Sequence, residues 1–348
     1  MQYQSLIRLV TQCGININPM QDAGKIKKIL SAEFSLSETG MISIDGFDYT
    51  KNDVFRELEA ENAAQIIEYH LRIWNNPSLL QCLEQNTVNF RTVSSWFEMT
   101  ADRDFVGFVS PYFSESFNKI MRKYLMDMNF GEATRWMRMD IFIAGANDEN
   151  RAYSSLRSFL TDTAHELKNV NEVTYTSLIP QLDYWTSRNT PPFLNRLPDS
   201  FYDVKHDLVN AFINLMVLIQ KQNRSLCYEI STMLYELTNL QPDVQQLISE
   251  NHKIVEHNTK ANAGKNERSG CSYVWIIFVA LFSLVRIATT CNSHSSRSSY
   301  NYTPPTFQSV DIDSTTLQRI RALMNGDTVK VLQAVPNSEA PTLETLVP

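Results

Sequence analysis

The sequence predicts a mainly α-helical fold, an irregular helical bundle or an α-solenoid-like stack, with one short β-hairpin and one C-terminal transmembrane helix. From Asp53 to about residue 256, apolar residues recur every three or four positions, which is the helical period. Residues 41–49 alternate around Asp45-Gly46, which is the pattern of a hairpin. An apolar run extends from Tyr273 to Val285, which favours a membrane-spanning helix.

Residues 1–35 are predicted to form two helices, and the second extends from Asp22 to Phe34 because its apolar residues share one face. The hairpin follows over residues 41–49. Asp45 and Gly46 both tolerate the positive φ angles that a type I′ turn requires. Thr50 or Asn52 then offers a side-chain oxygen to cap the next helix.

The chain from Asp53 onward is predicted to be helical with short breaks. The first helix ends at Asn75-Asn76-Pro77, since proline disfavours helical backbone at the residue before it. Further helices are predicted at 78–85, 88–99, 112–128, 132–143, 148–167, 173–187, 202–222, 224–238 and 243–256. Within them, residues 208–219 are apolar except for two asparagines, which predicts a helix buried in the core; a second membrane segment is the alternative.

The chain is expected to divide into a cytosolic helical domain (1–255), a linker (256–270), a transmembrane helix (271–290) and a mostly disordered tail (291–348). A short helix is predicted in the tail at about 314–325. The run from Tyr273 to Val285 is thirteen residues long, so a buried or interfacial helix is the alternative to a span. The residues expected to span the bilayer are Tyr273, Val274, Trp275, Ile276, Ile277, Phe278, Val279, Ala280, Leu281, Phe282, Leu284 and Val285.

Basic residues predict the orientation of the span. Four precede the run, whereas only two follow it closely: Lys253, Lys260, Lys265 and Arg268 on one side, Arg286 and Arg297 on the other. Because cytoplasmic flanks carry an excess of lysine and arginine, the N-terminal domain is expected in the cytoplasm and the tail outside. Cys271 is then a candidate for acylation, although an unmodified thiol is the favoured interpretation. Asn301 matches a glycosylation acceptor, which has a role only in an organism that glycosylates there.

Composition excludes several functional classes. The net charge of −7 argues against nucleic acid as a partner. The ten glycines are few for a nucleotide-binding protein, whose phosphate-binding loops use glycine. The five cysteines include no C-x-x-C pair, which argues against a disulfide framework or a zinc site. The first residues, interrupted by Arg8 and Thr11, do not form a signal peptide.

No catalytic motif, cofactor site or metal site is predicted, and the chain is not expected to be an enzyme. His165-Glu166 resembles half of a zinc-protease motif, but position 169 holds asparagine instead of the second histidine. The pairs Asp102/Asp104 and Asp311/Asp313 suit acid–base chemistry or magnesium binding. Charge at a helix N-terminus is the interpretation we favour for both pairs.

A dense aromatic set is the last candidate site, composed of Trp96, Phe97, Phe105, Phe108, Tyr112 and Phe113. Core packing is the favoured interpretation, and a groove for a partner helix or peptide is the alternative. The sequence therefore predicts a protein-interaction or scaffold module held at a lipid bilayer by a single helix. A membrane-perturbing effector whose cytosolic domain senses or oligomerises, and an enzyme of unrecognised type, are the competing hypotheses.

Overall fold

The structure is a computed structural model that describes residues 2–15 and 23–262, with side chains up to Thr259. The predicted transmembrane helix (271–290), the tail (291–348) with its helix at about 314–325, and most of the predicted linker lie outside the described residues. So do Cys271, Asn301 and the pair Asp311/Asp313.

Fifteen α-helices occupy most of the described residues. They are α1 Leu6–Gln12, α2 Ala23–Leu36, α3 Lys51–Leu58, α4 Ala63–Trp74, α5 Pro77–Gln85, α6 Trp96–Met99, α7 Arg103–Met126, α8 Phe130–Met137, α9 Ala146–Ala152, α10 Ser154–Lys168, α11 Tyr175–Trp185, α12 Thr190–Asn195, α13 Tyr202–Ile219, α14 Arg224–Tyr235 and α15 Pro242–Asn262. Among the described helices, none combines the length and apolar character that crossing a bilayer requires. The prediction of a mainly helical fold is confirmed.

The hairpin comprises β1 (Met41–Ile44) and β2 (Phe47–Thr50), antiparallel strands that pair Ile44 with Phe47 across the turn. Asp45 and Gly46 have φ angles of 50° and 83°, as expected for the predicted turn. Thr50 then caps α3, because its side chain accepts a hydrogen bond from the backbone N–H of Asp53 at 3.2 Å. The predicted hairpin and cap are confirmed.

Two aromatic clusters lie in the core, in addition to a mainly aliphatic cluster formed by α1–α4 and the hairpin. The first surrounds α7, where Phe113 and Phe117 pack against Trp136 of α8 at ring-centroid distances of 5.8 and 5.0 Å. The second surrounds Trp185 of α11, which contacts Phe130 and Phe212 at 4.7 and 5.5 Å. Phe212 lies on α13, whose residues 208–219 are largely buried. The predicted core helix at 208–219 is therefore confirmed.

Several predicted boundaries differ from the structure. The predicted helix 112–128 begins earlier, at Arg103, and continues through Pro111. Burial of Phe105, Val109, Phe113 and Phe117 on one face outweighs the cost of the missing proline N–H, about 3 kcal/mol. Between the predicted helices 173–187 and 202–222 the structure adds the short helix α12, and the Pro191-Pro192 pair lies in its first turn, where a proline loses no helical hydrogen bond.

Two further differences concern where helices stop. The predicted helix 148–167 is divided at Tyr153 into α9 and α10. The Tyr153 hydroxyl donates to the carboxylate of Asp140 at 3.2 Å, a tertiary contact that periodicity does not reveal. The last helix, predicted to end at 256, continues to Asn262. Residues 256–262 of the predicted linker are therefore helical, and they contain no glycine or proline to end the helix earlier.

Candidate functional site

The predicted aromatic set does not form one surface. Trp96, Phe105 and Phe113 are fully buried, and each packs against Phe142 with centroids 5.3–6.2 Å apart. Phe108 and Tyr112 are half-buried, whereas Phe97 is 50% exposed. Core packing accounts for the three buried rings. Of the predicted set, a partner could therefore contact only Phe97 and the exposed edges of Phe108 and Tyr112.

Asp102 serves as a helix cap. One of its carboxylate oxygens accepts from the backbone N–H groups of Asp104 and Phe105 at 3.1 and 3.0 Å, and the other accepts from Arg72 at 2.5 Å. The bond from the Phe105 N–H, with that from Arg72, lowers the pKa of Asp102. Charge at a helix N-terminus, the favoured interpretation of the Asp102/Asp104 pair, is confirmed for Asp102.

His165, from the partial zinc-protease motif, and His252 lie on different helices, α10 and α15. His165 is exposed beside Asn169, while His252 stacks on Tyr235 with ring centroids 4.6 Å apart. Nδ1 of His252 lies 3.1 Å from the hydroxyl of the buried Ser231. The space beside Ser231, between α13, α14 and α15, is too narrow to hold a water molecule. Within residues 2–15 and 23–262, His, Cys, Asp and Glu side chains form no group that could hold a metal ion.

The strongest polar constellation joins the N-terminus to α3 and α4, and we call Tyr3, Glu57 and His70 the His70 junction. The Tyr3 hydroxyl lies 2.8 Å from Nδ1 of His70, and Nε2 of the same ring lies 3.0 Å from the Glu57 carboxylate. The backbone N–H of Leu6 also donates toward Nδ1 at 3.4 Å. Because Nδ1 faces an N–H donor, it acts as the acceptor; Nε2 therefore carries the proton and donates it to Glu57.

Aromatic rings seal the His70 junction. Tyr3 and His70 are each 1% exposed, and His70 meets the edge of Phe108 at a centroid distance of 5.2 Å. Burial raises the pKa of Tyr3 well above its ordinary value, and burial, with the Glu57 charge, raises the pKa of Tyr112 to about 12. A tyrosine, a histidine and a glutamate in line have the types needed for proton transfer, but no substrate reaches Tyr3 or His70 here. The junction instead fastens the N-terminal segment to α4.

A second polar contact, the Arg8 clamp, lies beside the junction and consists of Arg8, Asp45 and Glu84. The Arg8 guanidinium donates to Glu84 at 2.6 Å and to Asp45 at 2.7 Å, and it lies over the rings of Phe47 and Trp74. The Glu84 side chain is 1% exposed, and its Oε1 has no hydrogen-bond partner. The negative charge of Glu84 therefore depends on Arg8 alone for a charged partner.

Lys205 forms a third buried polar contact, on α13. Its ammonium group donates to the carbonyl of Thr238 at 2.7 Å and to Asn195 at 3.4 Å. The amide of Asn195 also donates to the carbonyl of Glu236, so the two side chains hold the chain after α14. Burial lowers the pKa of Lys205 to about 8. This perturbed amine has no solvent path, since the residue is 5% exposed.

Sequence reasoning missed all three contacts because their partners are far apart in the chain. Tyr3 and His70 are separated by 67 positions, and Arg8 and Glu84 by 76. The available signal was a histidine, His70, on the apolar face of α4 between Ile67 and Ile73. A polar side chain on such a face predicts a buried hydrogen-bonded partner, although not which one.

Comparison of the chain with protein-family models, with curated proteins and with solved structures found no match.

Proposed function

We propose that the chain is a protein-interaction or scaffold module, anchored in a lipid bilayer by one helix over residues 271–290, with the N-terminal helical region in the cytoplasm. The interaction role is supported by which side chains are buried and which are exposed among the described residues. Groups suited to catalysis, such as His70 and Lys205, are buried in contacts that fasten the fold. Large apolar side chains face outward instead: Leu36, Phe97, Met126 and Val173 are each at least 50% exposed.

That outward display is the observation that carries the proposal. Single exposed apolar residues are common, but side chains as exposed as Val173 at 81% and Leu36 at 79% gain free energy when a partner covers them. The anchor is supported by the apolar run from Tyr273 to Val285 and by the basic residues that precede it.

Crosslinking in native membranes tests the interaction role. We expect full-length chain, treated with a lysine-reactive crosslinker, to give a reproducible protein adduct whose linked peptides fall within residues 23–262. The same chain with Leu36, Phe97, Met126 and Val173 all changed to serine is expected to lose most of this adduct. If the wild type gives only intramolecular links, or the fourfold variant retains its adduct in full, the scaffold proposal is wrong.

A further inference from the structure

One face of α11 concentrates exposed apolar side chains in a line. Val173, in the turn before the helix, is 81% exposed and Tyr184 is 52% exposed. Ser177 and Pro180 lie between them and are also exposed. These four residues are called the α11 stripe. Ser177, Pro180 and Tyr184 are spaced by three and four positions, so at about 100° per residue they share one side of the helix. Val173 precedes Ser177 by four positions, in the turn that leads into α11.

The orientation of α11 is fixed by its opposite face. Leu182 and Trp185 are 1% and 0% exposed, and Trp185 stacks on Phe159 of α10 with ring centroids 5.7 Å apart. Because this face is committed to the core, the α11 stripe faces solvent permanently.

Carboxylates border the α11 stripe on both sides. Asp183, which is exposed, lies about 120° from Ser177 on one flank of the helix. Glu172, also exposed, lies in the turn before the helix, next to Val173. Glu166 of α10 lies on the other flank, where its carboxylate accepts from Gln181 at 3.4 Å. Within the described residues none of the three forms an ion pair with a lysine or arginine.

Lys168 and Arg188, the basic residues near α11 in the sequence, do not pair with the carboxylates that border the α11 stripe. Lys168 lies 3.4 Å from Asp207 on α13, and Arg188 follows the C-terminal end of α11. An apolar stripe between carboxylates complements an apolar stripe between basic residues. It also disfavours an anionic membrane surface, whose headgroups the carboxylates repel.

We propose that the α11 stripe docks a helix of a partner protein, one that carries an apolar face bordered on both sides by lysine or arginine. This inference rests on the proposed interaction role and names the surface and the partner's chemistry. Helix-on-helix docking suits this spacing. The twelve residues from Val173 to Tyr184 would extend about 16 Å in helical geometry, which is the length of about three turns of a partner helix.

Two synthetic helices provide the probe. Both are fourteen-residue peptides with the same leucine face and a benzophenone photocrosslinker; one carries lysine on both borders and the other glutamate. Full-length chain in zwitterionic lipid nanodiscs is irradiated with each peptide, and the linked residues are mapped by mass spectrometry. We expect the lysine peptide to link to residues 173–184 at least tenfold more than the glutamate peptide, with the difference shrinking in 0.5 M salt as surface charges are screened.

Matched variants decide whether the stripe and its border cause the binding. Val173→Ser/Tyr184→Ser is expected to reduce linking by the lysine peptide at least tenfold. Met41→Ser/Tyr202→Ser, which removes two exposed apolar side chains elsewhere, is expected to leave it unchanged. Glu166→Lys/Glu172→Lys/Asp183→Lys is expected to reverse the preference toward the glutamate peptide. All seven side chains are exposed, and circular dichroism verifies that each variant is folded.

Three results would overturn the proposal: equal linking by both peptides, no loss in the α11 double variant, or an unchanged preference after charge reversal. The outcome is separable from that of the proposed function. A native partner linked elsewhere on the described surface would leave the interaction role intact while the docking inference fails. Peptide binding at α11 without any native adduct would support the docking surface while the proposed interaction role fails.

Discussion

Lys205 carries an ammonium group into a site with two oxygen acceptors and no carboxylate hydrogen-bonded to it. Its pKa is about 8 in the folded chain against 10.5 for an ordinary lysine. Between these two values the unfolded chain binds the additional proton, so the free energy of unfolding rises with pH in that window. Below about pH 8 both states are protonated and the difference is constant.

The comparison with Lys205→Met isolates this effect from the titration of other groups. We expect the free energy of unfolding of the wild type to rise, relative to that of the variant, by roughly 1–2 kcal/mol between about pH 7 and pH 9.5. Urea unfolding followed by circular dichroism at both pH values measures it. A wild-type advantage that stays flat or falls with pH would contradict the assignment of a lowered pKa to Lys205.

The Arg8 clamp predicts strong coupling between two residues. Arg8→Met leaves the carboxylate of Glu84, only 1% exposed, without its charged partner, and we expect a loss of about 3 kcal/mol in the free energy of unfolding. Adding Glu84→Gln removes the uncompensated charge, so the double variant should be more stable than Arg8→Met alone. Thermal and urea unfolding of the two single variants and the double variant measure the coupling.

The control for this cycle is a surface pair. Arg56 and Asp53 lie 3.4 Å apart with both side chains about 60% exposed, so Arg56→Met should cost less than about 0.5 kcal/mol. Additive losses in the Arg8/Glu84 cycle, or a loss at Arg56 as large as at Arg8, would show that the clamp is not a coupled buried pair.

At the scale of single elements, two glycines have opposite roles. Gly46 has a φ of +83° in the hairpin turn, whereas Gly107 lies within α7, where an added Cβ would meet no atom within 4 Å. Gly46→Ala should lower the free energy of unfolding by about 1 kcal/mol, because the left-handed backbone strains any residue with a Cβ. Gly107→Ala should raise it by roughly 0.5–1 kcal/mol, because alanine is the better helix former.

Urea unfolding of both glycine variants in parallel gives the comparison. The same substitution then destabilises one element and stabilises another, so a general effect of the added methyl group cannot explain both. Equal signs for the two variants would contradict either the positive φ of Gly46 or the open helical surface at Gly107.

Elements whose signals are local could be predicted from the sequence. Asp45-Gly46 lies between two short alternating segments, and Thr50 lies three residues before Asp53, so the hairpin and the cap depend on neighbours in the chain. Elements that depend on distant contacts could not be predicted. The passage of α7 through Pro111 is stabilised by the burial of rings such as Phe105 against Phe142. At the break between α9 and α10, the Tyr153 side chain contacts Asp140, which belongs to a different element.

The candidate site follows the same rule. The density of aromatic residues around Phe97 indicates a possible partner surface. It does not reveal that Phe97 is exposed whereas the adjacent Trp96 is fully buried. The His70 junction depends on a pairing between the N-terminus and α4 that spacing does not encode. The spacing of Val173, Pro180 and Tyr184 in the sequence is consistent with one helical face, so the α11 stripe could be predicted as a face. The burial of Trp185 in the structure shows that this face is the exposed one.

At the scale of the whole molecule, the described body and the apolar run suggest different environments. The described residues bury most of their rings and long apolar side chains, whereas their charged side chains are mostly partly or fully exposed. The run from Tyr273 to Val285 contains no charged residue. Thirteen residues are short for a span, but Arg286 directly follows the run in the sequence, and under the proposed anchor its side chain would extend to the far interface.

Membrane extraction tests the proposed anchor. We expect full-length chain to remain in the membrane pellet after alkaline carbonate treatment, and Phe278→Asp/Leu281→Asp to release most of it. Two aspartates near the centre of a span cost about 5–7 kcal/mol together, enough to prevent stable insertion. Ser293→Asp/Ser296→Asp adds the same charge beyond the run and should leave the chain in the pellet. Wild-type chain in the supernatant, or equal retention of the two variants, would show that residues 273–285 do not hold the protein in the bilayer.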